Sequence, residues 1–202
     1  KIELFRDDDR PAERIERRTV DRAGAAAFTS DGLEIAIAAG GDIWGMDTEL
    51  REPRRVTRSA EEERNPIFTP DGQGLLFVSD VDGRTDIWKA VRSDPKKPWW
   101  LNSNFKLERV TSDGVVKSGL SFSPDGAKLA YVASGKLMVA DADGRNARTL
   151  IDSWNAPSYD WSPDAKWMVY AQYDNDFNRD IWIKPLDGSR PPFNLSRHPY
   201  NE

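Results

Sequence analysis

The stretch "SFSPDGAKLAYVASGKLMVADADG", residues 121–144, packs two tight-turn signatures and two short apolar runs into one segment. In "SPDG", Pro124 presets φ at the second turn position, Asp125 tolerates the next, and Gly126 closes the turn. In "KLAYVA", Leu129, Tyr131 and Ala133 face one way, and Ala130 and Val132 face the other. Both faces are apolar, which suits a sheet stacked between two neighbours. "KLMVAD" then supplies a second strand, and "DADG" a second turn leading to a third.

The same segment recurs. "AFTSDGLEIAIA", "IFTPDGQGLLFVS" and "DWSPDAKWMVYAQ" align with it, and the aromatic markers Phe28, Phe68, Phe122 and Trp161 are 40, 54 and 39 residues apart. A second marker follows in each unit: "DIWGMD" at Trp44, "DIWKAV" at Trp88, "KLMVAD" at Met138 and "DIWIKP" at Trp182. A third segment closes each unit, at Thr57, Thr111, Leu150 and Ser196. The long second step comes from an insertion of about 14 residues within 92–106, "RSDPKKPWWLNSNFK", which maps to a loop on one face. Pro95 and Pro98 exclude a regular helix there.

Four short antiparallel strands in roughly 40 residues is the arithmetic of a propeller blade. The predicted fold is therefore all-β, a β-propeller of four-stranded antiparallel blades. Four blades are expected, at 16–57, 58–111, 112–151 and 152–196, as part of a larger six- or seven-bladed propeller. Residues 1–15 read as a connecting segment or strand from a preceding region, and 197–202 as the lead-in to a further blade. A closed four-blade ring is the alternative. "PAERIERR", residues 11–18, is the one helix candidate.

Composition narrows the function classes. The 202 residues carry 31% charged and 38% hydrophobic side chains, with a net charge of -5 and no cysteine. No disulfide framework, thiolate nucleophile or Cys-ligated zinc is available. No basic stripe points to nucleic acid. No apolar run reaches the roughly 18 residues of a membrane span, so no membrane insertion is expected. The chain begins at Lys1 without an apolar signal segment and reads as a piece of a longer one.

"SFSPDGAKLAYV … DADG" and "WSPDAKWMVYA … DIWIKPLDGS" resemble the repeats of TolB and of the N-terminal propellers of tricorn-type proteases, over about residues 20–202. The run from "SWNAPSYDW" to Glu202 is similar to the propeller region of large bacterial tricorn-like serine peptidases. That resemblance implies a propeller followed elsewhere by a PDZ module and a serine peptidase core. The catalytic Ser, His and acidic groups of that family sit in the core, so no catalytic residue carries over. Two turns depart from the pattern, with Ala165 in place of Gly and Ser30 in place of Pro.

In "QYDNDFNRDIW", residues 172–182, Asp174, Asp176, Asn178 and Asp180 stand at every second position, as in a calcium loop. An EF-hand needs Gly at the sixth place and Glu at the twelfth, and here these are Arg179 and Pro185. "SDVDGRTDIW" carries Asp80, Asp82 and Asp86 at the aligned place of the second blade, which favours a hairpin turn over a metal site. His198 is the single histidine, and no G-x-S-x-G motif accompanies it, so no Ser-His-Asp constellation is legible. Trp44, Trp88 and Trp182 share one blade position and are read as packing between blades. Trp99 and Trp100 sit in the insertion, and either contact another domain or ligand or fold back on the blade rim.

The expected role is thus a non-catalytic propeller module of a tricorn-like serine peptidase, which binds or guides polypeptide and supports assembly. The chain itself needs no cofactor. The alternatives are a TolB-like periplasmic protein-binding propeller and a propeller enzyme with an active site at the channel mouth. Expected partners are a polypeptide or protein, other domains of the parent chain, or a second copy through open blade faces. The resemblance leans towards the cell envelope, with the cytoplasm as the alternative.

Overall fold

The computed structural model describes residues 22–49, 52–173 and 177–196. Among these residues sixteen strands form four sheets of four, each ordered as an antiparallel meander. The first blade holds β1 (Ala25–Phe28), β2 (Glu34–Ala39), β3 (Asp42–Asp47) and β4 (Arg54–Arg55). The second holds β5 (Glu63–Phe68), β6 (Gly74–Ser79), β7 (Asp86–Arg92) and β8 (Phe105–Arg109). The third holds β9 (Lys117–Phe122), β10 (Lys128–Ala133), β11 (Lys136–Asp141) and β12 (Arg148–Ile151). The fourth holds β13 (Ser158–Trp161), β14 (Trp167–Tyr173), β15 (Arg179–Pro185) and β16 (Phe193–Asn194). The predicted all-β propeller is the observed fold. "KIELF", "PAERIERR" and the end from residue 197 lie outside the described residues.

The first link of each blade is one repeated device. Gly32, Gly72, Gly126 and Ala165 each donate their amide to the carbonyl three residues back, at 2.8–2.9 Å. The hydroxyls of Thr29, Thr69, Ser123 and Ser162 donate to Asp31, Asp71, Asp125 and Asp164 at 2.5–2.6 Å. Each Asp then accepts the amide two residues on, at 3.0–3.1 Å. The closing residue has φ of 69°, 66° and 72° in the three glycine turns and 56° at Ala165. Ala165 therefore takes the left-handed conformation that glycine takes elsewhere, at a steric cost.

A second device fastens the outer strand. The amides of Ile43, Ile87 and Ile181 donate to the hydroxyls of Thr57, Thr111 and Ser196 at 2.8, 2.9 and 3.0 Å. Two of those hydroxyls pass their own proton on to a buried carboxylate, Thr111 to Asp86 at 2.9 Å and Ser196 to Asp180 at 3.1 Å. The Asp of "DIW" is thus a buried clasp. Blade 3 lacks it and carries Lys136, paired with Asp152 at 3.0 Å.

Three apolar joints hold the blades together, and successive residues of one strand serve different joints. Leu75 and Phe77 of β6 pack with Ala36, Ile43 and Trp99. Leu76 and Val78 pack with Leu129 and Tyr131 of the third blade. Ala130, Leu137 and Val139 pack with Trp161, Met168 and Tyr170 of the fourth. This two-faced burial is what the apolar runs anticipated. Trp88 and Trp182 pack at the rims of the first and third joints, in keeping with their reading as packing residues. Arg109 and Arg55 lie over Trp88 and Trp44, at 4.8 and 5.8 Å from the ring centroids.

The far face of the fourth blade is different. Val169 and Ile181 are only half-buried, whereas Leu76 and Ile87, at the matching places of the second blade, are buried. No apolar cluster of described residues joins the fourth blade to the first. The arc is open, as a part of a larger propeller would be, and the closed four-blade ring is not what forms.

Candidate docking surface at the hairpin tips

An up-and-down blade puts two kinds of link at the same end: the hairpin between its second and third strands, and the link from its fourth strand to the next blade. At that end, between the third and fourth blades, lies a group of aromatic rings. Trp154 stands in the link from β12 to β13 and is 67% exposed. Phe177 stands in the β14–β15 hairpin and is 68% exposed. The Trp154 ring lies 6.1 Å from Phe177, edge-on at 80°, and 6.4 Å from Tyr173, the last residue of β14, tilted at 40°.

The backbone beneath the rings is fixed. A Cβ on Gly135, at the tip of the third blade, would lie 3.2 Å from the Trp154 carbonyl and 3.3 Å from that of Ser153. With φ +80° as well, only glycine lets the link settle onto that tip. Ser153 is buried, donates to Asn155 Oδ1 at 2.9 Å and accepts the Asn155 amide at 3.3 Å. Phe177 has φ 62°, a conformation unusual for a bulky side chain. Large exposed rings on an ordered support are the opposite of what burial would select. Covering one ring removes about 150–250 Å² from water, on the order of 4–6 kcal/mol before ordering costs.

The acidic series is split by the structure. Asp174 and Asp176 lie outside the described residues. Asn178 precedes β15. Asp180 points inward as a clasp, its Oδ2 accepting Asn194 Nδ2 at 2.7 Å and its Oδ1 accepting Ser196 Oγ at 3.1 Å. In the aligned hairpin of the second blade, Asp80 is held by both Arg64 nitrogens, at 2.7 and 3.1 Å, and by Thr85 at 2.7 Å. The Arg64 guanidinium holds the Asp80 carboxyl below its ordinary value. Asp82 pairs with Arg109 at 3.2 Å. Those carboxylates are paired within their own blade, with Arg64 of β5 and Arg109 of β8. Among the described residues, no group of three His, Cys, Asp or Glu gathers to hold a metal.

The insertion resolves the choice left open for Trp99. Trp99 is completely buried in the joint between the first two blades. It stacks on Phe105 at 5.6 Å and 7°, meets Phe68 edge-on at 5.6 Å, and donates Nε1–H to the Gly72 carbonyl at 3.2 Å. It folds back on the blade and offers no ring to a ligand. Asn102, also buried, donates to the Pro98 carbonyl at 2.9 Å and accepts the Asp94 amide at 3.0 Å, so the loop is tied to itself. Trp100 is half-buried beside it, and its carbonyl accepts Arg54 Nε at 3.4 Å.

At the opposite end, a cleft of about 740 Å³ opens between the third and fourth blades. Its charges are largely answered from within. Asp141 takes Lys128 and Asn146 at 2.6 Å each, and Arg148 donates to the Leu186 carbonyl. Tyr159 of β13 has its phenol pushed up to about 12 by burial and donates to the Gly119 carbonyl of β9, so it serves as a donor and not as a base. His198 lies outside the described residues. Trp154 and Phe177 were missed from sequence because they fall off the repeat register. That irregularity was the available signal: the aligned links carry no aromatic.

The TolB beta propeller domain family matches residues 16–176. An uncharacterized peptidase YuxL of Bacillus subtilis is 27% identical over 148 residues, 72% of this chain and 20% of that protein. The Tol-Pal system protein TolB of Bordetella pertussis is 30% identical over 134 residues, 48% of this chain and 31% of that protein. Among solved structures, TolB from Acinetobacter baumannii superposes with a TM-score of 0.66 at 24% identity, over 88% of this chain and 44% of that one. A putative TolB from Agrobacterium tumefaciens gives 0.62 at 18% identity, over 88% and 62%. The chain thus spans under a third of the curated relatives named here and about half of the solved ones. With four-stranded blades, the repeated Asp turn and a family match over most of its length, this chain belongs to the TolB beta propeller domain family.

Proposed function

We propose that this propeller segment is a non-catalytic docking module that binds a polypeptide at the hairpin-tip end of the third and fourth blades. The observation that carries the reading is the ring group of Trp154, Phe177 and Tyr173, exposed on a backbone tied down at Gly135 and Ser153. Family relatives named as Tol-Pal system proteins support a protein-binding role. The test is selection of short extended peptides from a displayed library on the pure chain. Selected peptides should lose tenfold or more in affinity on the Trp154→Ala/Phe177→Ala double variant, with its melting temperature unchanged. Equal binding to both proteins removes the surface from consideration. Cleavage of casein by the pure chain refutes the non-catalytic part.

A second reading places the same module beside the serine peptidase core of a tricorn-like parent protein, where it guides substrate. The match to a peptidase-named protein over 72% of this chain favours it. In such a parent, Trp154→Ala should raise KM for long peptides and leave kcat on a short one unchanged.

A further inference from the structure

Two successive blade joints are built on one plan, and they differ at one charge. In the joint between the second and third blades, Lys117, the first residue of β9, is wholly buried. Its ammonium lies 3.5 Å from the buried Asp86, donates to the carbonyls of Val115 and Thr85 at 2.8 and 3.3 Å, and meets Asp113. A buried positive charge is thereby matched by a carboxylate and ringed by oxygen.

In the joint between the first and second blades, the same place holds Glu63, the first residue of β5. The registers agree, since Glu63 opposes Ser79 as Lys117 opposes Ala133. The clasp Asp is again present, as Asp42. The counterparts of Thr85 and Val115 are Gly41, whose carbonyl takes the Glu63 amide at 2.8 Å, and Glu61. Asp113 is replaced by Ser59, which donates to Glu63. A cation has thus been exchanged for an anion, with the clasp Asp and the two carbonyl positions kept and one carboxylate replaced by a hydroxyl.

The exchange leaves a mismatch. Glu63 is 3% exposed, and Asp42 is 6% exposed. Glu63 Oε1 accepts from Ser59 and from Ser79, the latter at 3.1 Å, but its Oε2 has no partner. Asp42 Oδ2 pairs with Arg55 at 2.6 Å, but its Oδ1 has no partner either. Asp86 Oδ2 shares that state in the second joint, where the Lys117 charge offsets the carboxylate. Among the described residues no ion pair offsets Glu63, and a buried carboxylate that meets only hydroxyls carries a large desolvation cost. A cleft of about 330 Å³, lined by Gly40, Gly41, Glu62 and Glu63 and also by Arg22 and Arg64, gives access from solvent; Arg64 is paired with Asp80, at 2.7 Å.

We infer that the joint between the first and second blades binds a hard, oxygen-ligated cation of the calcium type, in the place the Lys117 ammonium fills in the next joint. Glu63 Oε2 and Asp42 Oδ1 supply its charge, and the carbonyls of Gly41 and Glu61 supply neutral ligands, a donor set suited to such an ion. The cation fastens one blade to the next, as the lysine does one joint further on.

The test is thermal melting of the full chain in EDTA and across a CaCl2 series, with MgCl2 as a parallel arm. The wild type should gain roughly 3–5 °C for each tenfold of free Ca2+ above its dissociation constant. Glu63→Gln should melt cooperatively and lose that gain. The Glu63→Lys/Ser59→Asp variant, which copies the second joint, should melt in EDTA as the Ca2+-loaded wild type does and ignore added metal. Equal melting of the wild type in EDTA and in CaCl2 overturns the inference. So does a Ca2+ gain that survives in Glu63→Gln, which would place the ion elsewhere. A gain on acidification with none from either metal overturns it in favour of a proton.

Discussion

Trp99→Ala tests whether the insertion is part of the core. The side chain is fully buried against Phe68, Phe105 and Arg92, whose guanidinium lies 5.4 Å from the ring centroid. Truncation leaves a cavity between two blades and strands the Gly72 carbonyl that Nε1 serves. The close approach of Gly45, where a Cβ would lie 3.4 Å from Trp99 Cβ, limits how far the first blade can collapse into the gap. Cavity and transfer effects together predict a loss of about 3–5 kcal/mol. At roughly 2–4 °C per kcal/mol for a chain of this size, the melting temperature should fall by roughly 6–20 °C. Urea unfolding followed by fluorescence gives the free energy and calorimetry gives the shift. Trp100→Ala, on a half-buried neighbour, should cost under about 1 kcal/mol and serves as the control. A loss below about 1 kcal/mol for Trp99→Ala, or equal losses for the two variants, refutes the placement of Trp99 in the joint.

Three further outcomes follow from the repeated devices. Ala165→Gly relieves a left-handed alanine and should stabilise by about 0.5–1 kcal/mol, read as a higher urea midpoint at constant slope. Lys117→Met leaves Asp86 buried without its cation and should destabilise by about 3–5 kcal/mol, whereas Lys117→Met/Asp86→Leu should recover much of that loss in the same urea assay. Hydroxyl donation from Thr29, Thr69, Ser123 and Ser162 holds the carboxyls of Asp31, Asp71, Asp125 and Asp164 below the ordinary 3.8. A depressed folded-state value stabilises above the unfolded value and is lost as pH falls through the folded one, so these turns should weaken below about pH 3.8. Carboxyl titration by NMR should show Asp71 returning towards 3.8 in Thr69→Val, and an unchanged value counts against the hydroxyl as the cause.

The repeats of turn and strand were legible because each rests on local chemistry. "SPDG" needs only neighbouring residues to close, and an apolar run with two greasy faces can satisfy both only between two other sheets. The far face of the fourth blade follows from the same logic, since Val169 and Ile181 occupy places that are core elsewhere. The "DIW" acid was legible as a repeat but not as a clasp, because Thr111 and Ser196 reach it across the sheet from 25 and 16 residues away.

The sequence alone determined the blade, its length and its count, because propeller order is written in short-range turns and a fixed period. Only the tertiary structure decided what the irregular residues do. Trp99 and Trp154 look alike in sequence, each an aromatic residue in a link between strands. One meets a slot between two blades, left open by Gly45, and vanishes into it. The other rides over the tip of a blade at Gly135 and remains in water. Burial is a property of the neighbours a side chain finds, and for Trp99 these come from its own blade and from the one before it.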